Sequence, residues 1–265
     1  MSRLKIVDTP IKEVKTPVEE KTKFVLPEVT NQTSVIDTVI ILAHKSPSWC
    51  PVIANSMSEL QNISNCLGQS IQTEGHFFPD KKNLFKAFEK TPLDKVKLVI
   101  MGMDPYPTLL PNGQPRAQGS SFSVAIGDEI PGSLKNMFKE IKSNYPQWNP
   151  PSHGDLSKWE EQGVFLLNAC LTCPPQKSGG HSKYMLWIPF ISKVIEAINM
   201  VNPNCIYFIW GKDALKLSRF IGDKAHRLIA AHPSPLSAHN GFFGCGHFKK
   251  ANDILIGYGQ TPIEW

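Results

Sequence analysis

Val96-Lys97-Leu98-Val99-Ile100-Met101-Gly102, followed at once by Met103-Asp104-Pro105-Tyr106, decides the architecture of this chain. A short, mostly apolar run closed by a turn reads as a buried strand, the habit of a parallel sheet. Proline then stiffens the loop that carries the carboxylate. The same layout recurs downstream. Residues 164–168 form an apolar run ending in Asn168, and residues 205–210 form another, ending in Trp210 and followed by Gly211-Lys212. Residues 227–231 form the last, followed by His232-Pro233-Ser234-Pro235-Leu236-Ser237. Helical spacing fills the intervals at 133–141, 156–162, 188–200 and 213–221, with further helices expected at 56–71, 83–90 and 248–256. The alternation predicts an α/β fold: a single domain with a central four-stranded parallel sheet flanked by helices on both faces. Ligands of such sheets bind beyond the carboxyl ends of the strands, so Asp104, Asn168 and His232 are expected to meet across one cleft.

Composition sets the frame. The chain has 265 residues, 41% of them hydrophobic, enough for a full core. The net charge is +5. Residues 1–44 carry six basic and six acidic side chains, so the whole excess falls in residues 45–265, where a polyanion would bind. Three prolines and many lysines and glutamates in the first 33 residues mark a flexible or loosely docked extension, 1–44, ahead of a catalytic domain, 45–265. Packed structure is expected to begin near Val35. The six cysteines are scattered. Cys170 and Cys173 form a CxxC without a second ligand pair, so reduced thiols and no metal site are expected. The amino terminus shows no secretory pattern, and the apolar stretch from Val39 to Ala43 is too short to span a bilayer. An intracellular protein of cytoplasm or nucleus, not membrane-bound and monomeric, is the expectation.

Each candidate residue also has an ordinary structural reading. Asp-Pro opens many turns. Asn168 could be a satisfied buried amide, His232 a loop residue, Tyr106 and Phe122 core aromatics, and Leu236 an anchor for its own loop. Their arrangement at one edge of the sheet raises the functional reading.

Taken together, four motifs resemble the uracil-DNA glycosylases of the main uracil-N-glycosylase family. They are Gly102-Met103-Asp104-Pro105-Tyr106-Pro107, Gly119-Ser120-Ser121-Phe122-Ser123-Val124, Leu166-Leu167-Asn168-Ala169-Cys170-Leu171-Thr172 and His232 to Ser237. The likeness extends over about residues 46–265. It implies a repair enzyme that flips deoxyuridine out of single- or double-stranded DNA and hydrolyses the N-glycosidic bond. By the resemblance Asp104 serves the sugar and the attacking water, and His232 donates to uracil O2 as a neutral imidazole. Tyr106, Phe122, Asn168 and the backbone beside Met103 hold the base, and Leu236 is the wedge that fills the vacated stack. Ser133, Ser234, Pro235, Ser237, Gly211 and Lys212 are the DNA-binding candidates. No cofactor or metal is implied. A proteinaceous glycosylase inhibitor or a replication partner is a further candidate.

The chain departs from the family pattern in several places. Met103 stands for Gln, Pro107 for His and Gly132 for Pro; Lys212 follows Gly211 where Ser is usual, Asn240 replaces a basic residue, and loop 107–118 is longer. Two competing readings stand beside the leading one. A glycosylase for mismatched bases is opposed by the Tyr106 barrier. A glycosylase-fold DNA-binding accessory module is opposed by the intact Asp104, Asn168 and His232. Iron–sulfur relatives of the fold are disfavoured, since residues 1–65 contain only Cys50.

Overall fold

Three of the four strands are buried at every position, which only a sheet covered on both faces permits. The computed structural model describes residues 28–30, 33–181 and 185–265. Its strands are β1 (Leu98–Gly102), β2 (Val164–Asn168), β3 (Ile206–Trp210) and β4 (His226–Ala230). They pair in parallel in the order β2-β1-β3-β4. From β1 the chain moves outward to β2, then returns to β3 on the other side. The loops after β1 and β3 therefore diverge, opening a crevice at their carboxyl ends.

Alternate strand residues feed two cores, as the two-residue strand period requires. Val99, Met101, Phe165, Leu167, Tyr207 and Ile209 face one side. There they meet α1 (Val35–Lys45), α2 (Cys50–Ala54), α3 (Met57–Glu74), α4 (Lys86–Lys90), α7 (Ile188–Val201) and α8 (Gly211–Leu217). Leu98, Ile100, Leu166, Ile206, Phe208 and Trp210 face the other. That side is covered by α5 (Gly132–Asn144), α6 (Ser157–Glu160) and α9 (His247–Gly257). Aromatic rings fill both. Trp49, Phe88 and Phe165 form one cluster with centroids 5.0–5.2 Å apart. Trp265 packs edge-on against Trp159 and Phe248 in the other, at 5.3 and 4.9 Å.

The expected boundary between residues 44 and 45 is corrected, because it falls inside α1. Val35, Val39, Ile41 and Leu42 are buried, and Val35, Val39 and Leu42 join the first core, so among the described residues packed structure is present from Val35, where it was expected. Ser34 caps this helix: its hydroxyl accepts from the Asp37 N–H at 3.0 Å and donates to the Asp37 carboxylate at 2.7 Å. The part of the expected extension in residues 1–27 lies outside the described residues. The last strand sits one residue earlier than expected, and α8 begins directly at Gly211.

Loop 107–118 is a small hairpin. Leu109 bridges Pro115, Leu110 N–H donates to Gln114 O at 2.8 Å, and Arg116 N–H donates to Thr108 O at 3.0 Å. Arg116 ties its base to Asp128 through two guanidinium nitrogens, at 2.9 and 3.1 Å. Among the described residues no helix is long and apolar enough to cross a membrane.

Phe88 contacts the rings of Trp49, Phe85, Phe165 and Phe190. Phe88→Ala is expected to lower stability by about 3–5 kcal/mol, read as a lower midpoint in urea unfolding with an unchanged slope.

Candidate active site

The crevice predicted by the topology is a cleft of about 480 Å³. Met103, Asp104 and Tyr106 reach it from the loop after β1, Asn168 from the end of β2, Gly211 and Lys212 from the end of β3, and His232, Ser234 and Leu236 from the loop after β4. Phe122 and Ser133 complete the expected set. The structure thus brings together eleven of the thirteen site residues expected from sequence. Pro235 and Ser237 do not line the cleft. Pro235 packs on Gly132 at the entry to α5, and the Ser237 hydroxyl donates to His232 O at 2.9 Å.

The register Gly102↔Asn168 sets the two sides of the cleft level with one another. A Cβ at residue 102 would lie 2.2 Å from Asn168 Oδ1, so only glycine leaves the carboxamide its place. Asn168 is 6% exposed as a residue, and its carboxamide opens onto the cleft with no hydrogen bond to another described residue. Its donor and acceptor are thus available to a ligand's polar edge.

Phe122 adopts a φ of 63°, a left-handed conformation that side chains seldom take. The surrounding segment holds it there. Tyr106 donates its hydroxyl to Phe122 O at 3.1 Å, Ser121 N–H donates to Leu166 O at 2.9 Å, and Ser123 Oγ accepts from Leu156 N–H at 3.0 Å. The ring ends 5.8 Å from the His232 ring and 6.0 Å from Trp210. Burial pushes the Tyr106 phenol well above its usual range, so it remains a neutral donor.

His232 Nδ1 accepts the Ser234 N–H at 3.0 Å. Burial lowers the imidazole below its usual pKa, against a weaker opposite pull from Asp213. A neutral ring whose Nδ1 accepts must carry its proton on Nε2. The loop is bolted down: Asn136 Nδ2 on α5 donates to Pro233 O at 2.8 Å, and the Ser234 and Ser237 hydroxyls meet at 3.0 Å. Leu236 on this rigid loop is 89% exposed. Asp104 is pushed upward by burial and by Asp213, while hydrogen bonds from the Gly179 N–H and the Ser178 hydroxyl pull it down. Ser178, Asp213 and Gln118 also line the cleft and were missed by the sequence reading. An acid directly after Gly211-Lys212 was the available signal for Asp213. Among the described residues no three His, Cys, Asp or Glu side chains gather as a metal ion would need.

Comparison with known proteins bears on the family and the fold. Residues 88–256 match the uracil DNA glycosylase superfamily. The chain belongs to that superfamily. Among its relatives, a uracil-DNA glycosylase of Proteus mirabilis is 42% identical over 221 residues, covering 82% of this chain and 95% of that protein. One of Dichelobacter nodosus is 45% identical over 189 residues, covering 71% and 80%. The crystal structure of mimivirus uracil-DNA glycosylase superposes with a TM-score of 0.78 at 28% identity, covering 86% of this chain and 90% of that one. A mimivirus UNG variant in complex with UGI gives 0.79 at 28% identity, covering 88% and 95%. The single α/β domain of this superfamily member has its cleft at the strand ends.

Behind the cleft, Ser120 donates to the buried Glu160 carboxyl at 2.6 Å, and burial lifts that acid to about 7. The unfolded chain releases this proton near the ordinary value of 4.5, so between there and about 7 the folded state holds more protons and stability falls as pH rises. Glu160→Gln is expected to melt with wild type near about pH 4.5 and about 3–6 °C above it at about pH 8, in thermal unfolding at the two values.

Proposed function

We infer that this protein hydrolyses the N-glycosidic bond of deoxyuridine in DNA, releasing uracil and leaving an abasic site as the opening step of base excision repair. The observation that carries this is the unpartnered Asn168 carboxamide, facing the same slot as the Asp104 carboxylate and the His232 Nε2–H, with the Phe122 ring beside it. The curated relatives that bear the name uracil-DNA glycosylase support it, matched over 80–97% of their length.

The chemistry follows from the groups. A base within a duplex is out of reach, so the nucleotide must be extruded. Leu236, apolar and held out on a stiff loop, fills the gap it leaves. Asn168 donates to uracil O4 and accepts from N3–H. Cytosine presents the reverse pattern and leaves both polar groups unpaired, a rejection worth orders of magnitude. Tyr106 stands against C5 and excludes the thymine methyl, by about 1–3 kcal/mol or more against so rigid a wall. Phe122 stacks on the base. As the bond breaks, negative charge grows on uracil and positive charge on the sugar. The His232 Nε2–H meets the developing charge at O2, and a neutral donor suits this because its proton is shared with the anion at no cost of ionising the ring first. Asp104 faces the sugar cation and orients the attacking water. These dipoles are fixed before substrate arrives, so they need no reorganisation during reaction. Ser133, Ser234, Gly211 and the Lys212 ammonium grip phosphates on either side, while Pro235 and Ser237 shape the loop from behind.

Every group in this scheme comes from one chain, so a monomer suffices. The reaction as written draws on no metal or organic cofactor. A protein inhibitor such as that named in the mimivirus complexes is a candidate occupant of the same DNA-facing surface. A DNA substrate puts the work inside the cell.

The test is incubation with single- and double-stranded oligonucleotides carrying one deoxyuridine, in EDTA, followed by alkaline cleavage of abasic sites. Scission is expected at uracil alone. Asp104→Asn and His232→Ala should each lower kcat by about 10²–10⁴-fold with the fold intact. Leu236→Ala should lose more activity on duplex than on single strands. Wild-type turnover by Asp104→Asn would refute the assignment.

A further inference from the structure

The loop that carries Asp104 and the segment that follows β2 run side by side for their whole length. Ala169 N–H donates to Gly102 O and Cys170 N–H to Met103 O, both at 2.9 Å. Farther on, Cys173 Sγ donates to Pro105 O at 3.3 Å and Gln176 N–H donates to Pro107 O at 2.7 Å. The segment then folds back on itself, Gly180 N–H donating to Lys177 O at 3.1 Å, and delivers two donors to one carboxylate. Gly179 N–H donates to Asp104 Oδ2, and the Ser178 hydroxyl lies 3.3 and 3.5 Å from the two carboxylate oxygens. Gly179 holds a φ of 74°, which aims its N–H inward and which a side chain would strain.

We propose that Ser178 and Gly179 are positioning residues for Asp104, fixing the direction and the charge of its carboxylate through a strap stitched to the same loop they serve. This rests on the deoxyuridine hydrolysis argued above. The reasoning is electrostatic. A carboxylate that must face a sugar cation has to be ionised, yet Asp104 is largely buried, and burial favours the neutral acid. Among the charged and titratable groups around it, Asp213 on α8 adds to the upward push. The Cys170 and Cys173 thiols beneath are neutral, the first lifted to about 12 by burial and the second higher. His232 across the cleft is neutral by burial, and Lys212 contributes its charge at the rim. The two strap donors are the groups in direct contact that favour the ionised form. Both reach Oδ2, with Oδ1 only 3.5 Å from the Ser178 hydroxyl, which leaves lone pairs of the carboxylate for water.

The test is the pH dependence of kcat/KM on a single-stranded deoxyuridine oligonucleotide from about pH 4 to about pH 9, whose acidic limb reports the essential carboxylate of the free enzyme. Ser178→Ala removes a donor, and Gly179→Ala keeps its N–H but strains the φ of 74° that aims it, so each raises the acid's pKa and moves the limb to higher pH. The expected shift is about half a unit for Ser178→Ala and about one unit for Gly179→Ala, with KM little changed. Ser178→Thr, which keeps the hydroxyl, should return the limb to the wild-type position. Limbs of both variants superimposed on wild type would overturn the positioning role, and Ser178→Ala alone decides it should Gly179→Ala fail to fold. Asp104→Asn, run in parallel, separates the two ideas. If that variant turns over normally, the reaction assignment itself fails; if it is inactive while the limbs coincide, only the strap's role falls.

Discussion

The pairing of Gly102 with Asn168 across β1 and β2 is the constraint on which the cleft depends. Register in a buried parallel sheet is strict, since a slip of one residue would turn every core side chain to the wrong face. With that register set, the amide and the acid two residues beyond Gly102 lie at fixed heights on neighbouring strand ends. The bare glycine backbone makes room for the carboxamide where any side chain would evict it. The same sheet places β3 on the opposite side of β1, so that the Gly211 turn and, past β4, the His232 loop close the slot from the other edge.

The site is made rigid by hydrogen bonds that do not face substrate. Asn136 and Ser237 hold carbonyls of the His232 loop, Ser121 ties the Phe122 segment to β1 and Ser123 ties it to the entry of α6, and the strap around Gly179 holds Asp104. On the far side of α5, Glu140 accepts the N–H groups of Gly244 and Gly246 at 2.8 and 2.9 Å, pinning the turn that follows the Leu236 loop. This rigidity is what permits strained and costly features at the centre: a left-handed phenylalanine and a leucine standing in water, beside an amide that opens onto the cleft.

Much of this was legible in the sequence for a physical reason. Four apolar runs each ended in a loop with its own polar residue, and strand-end loops of a parallel sheet converge by topology, although β4, read as buried like the others, is part-exposed at the sheet edge. What the sequence hid is equally explicable. Gly179 acts through a main-chain N–H, which leaves no side-chain signature. Ser237 looked like a phosphate ligand because a loop serine carries no sign of which way its hydroxyl turns. Packed structure was expected near Val35, and the Ser34 cap with Asp37 three residues on bears this out, but the boundary drawn between residues 44 and 45 cut through the helix that starts there. Residues 1–27, expected to form the greater part of an extension, lie outside the described structure.

The hairpin of loop 107–118 closes upon itself through its own main-chain bonds and is moored at its root by Arg116 and Asp128. Its tip is therefore mechanically insulated from the floor of the cleft, although its two ends, Pro107 and Gln118, touch it. Length changes between Leu109 and Pro115 are absorbed within the finger and are not transmitted to the catalytic groups. Such a place lets a lineage trim, lengthen or decorate its enzyme without retuning the chemistry, and offers the engineer a ready graft point for a fluorophore or an affinity handle.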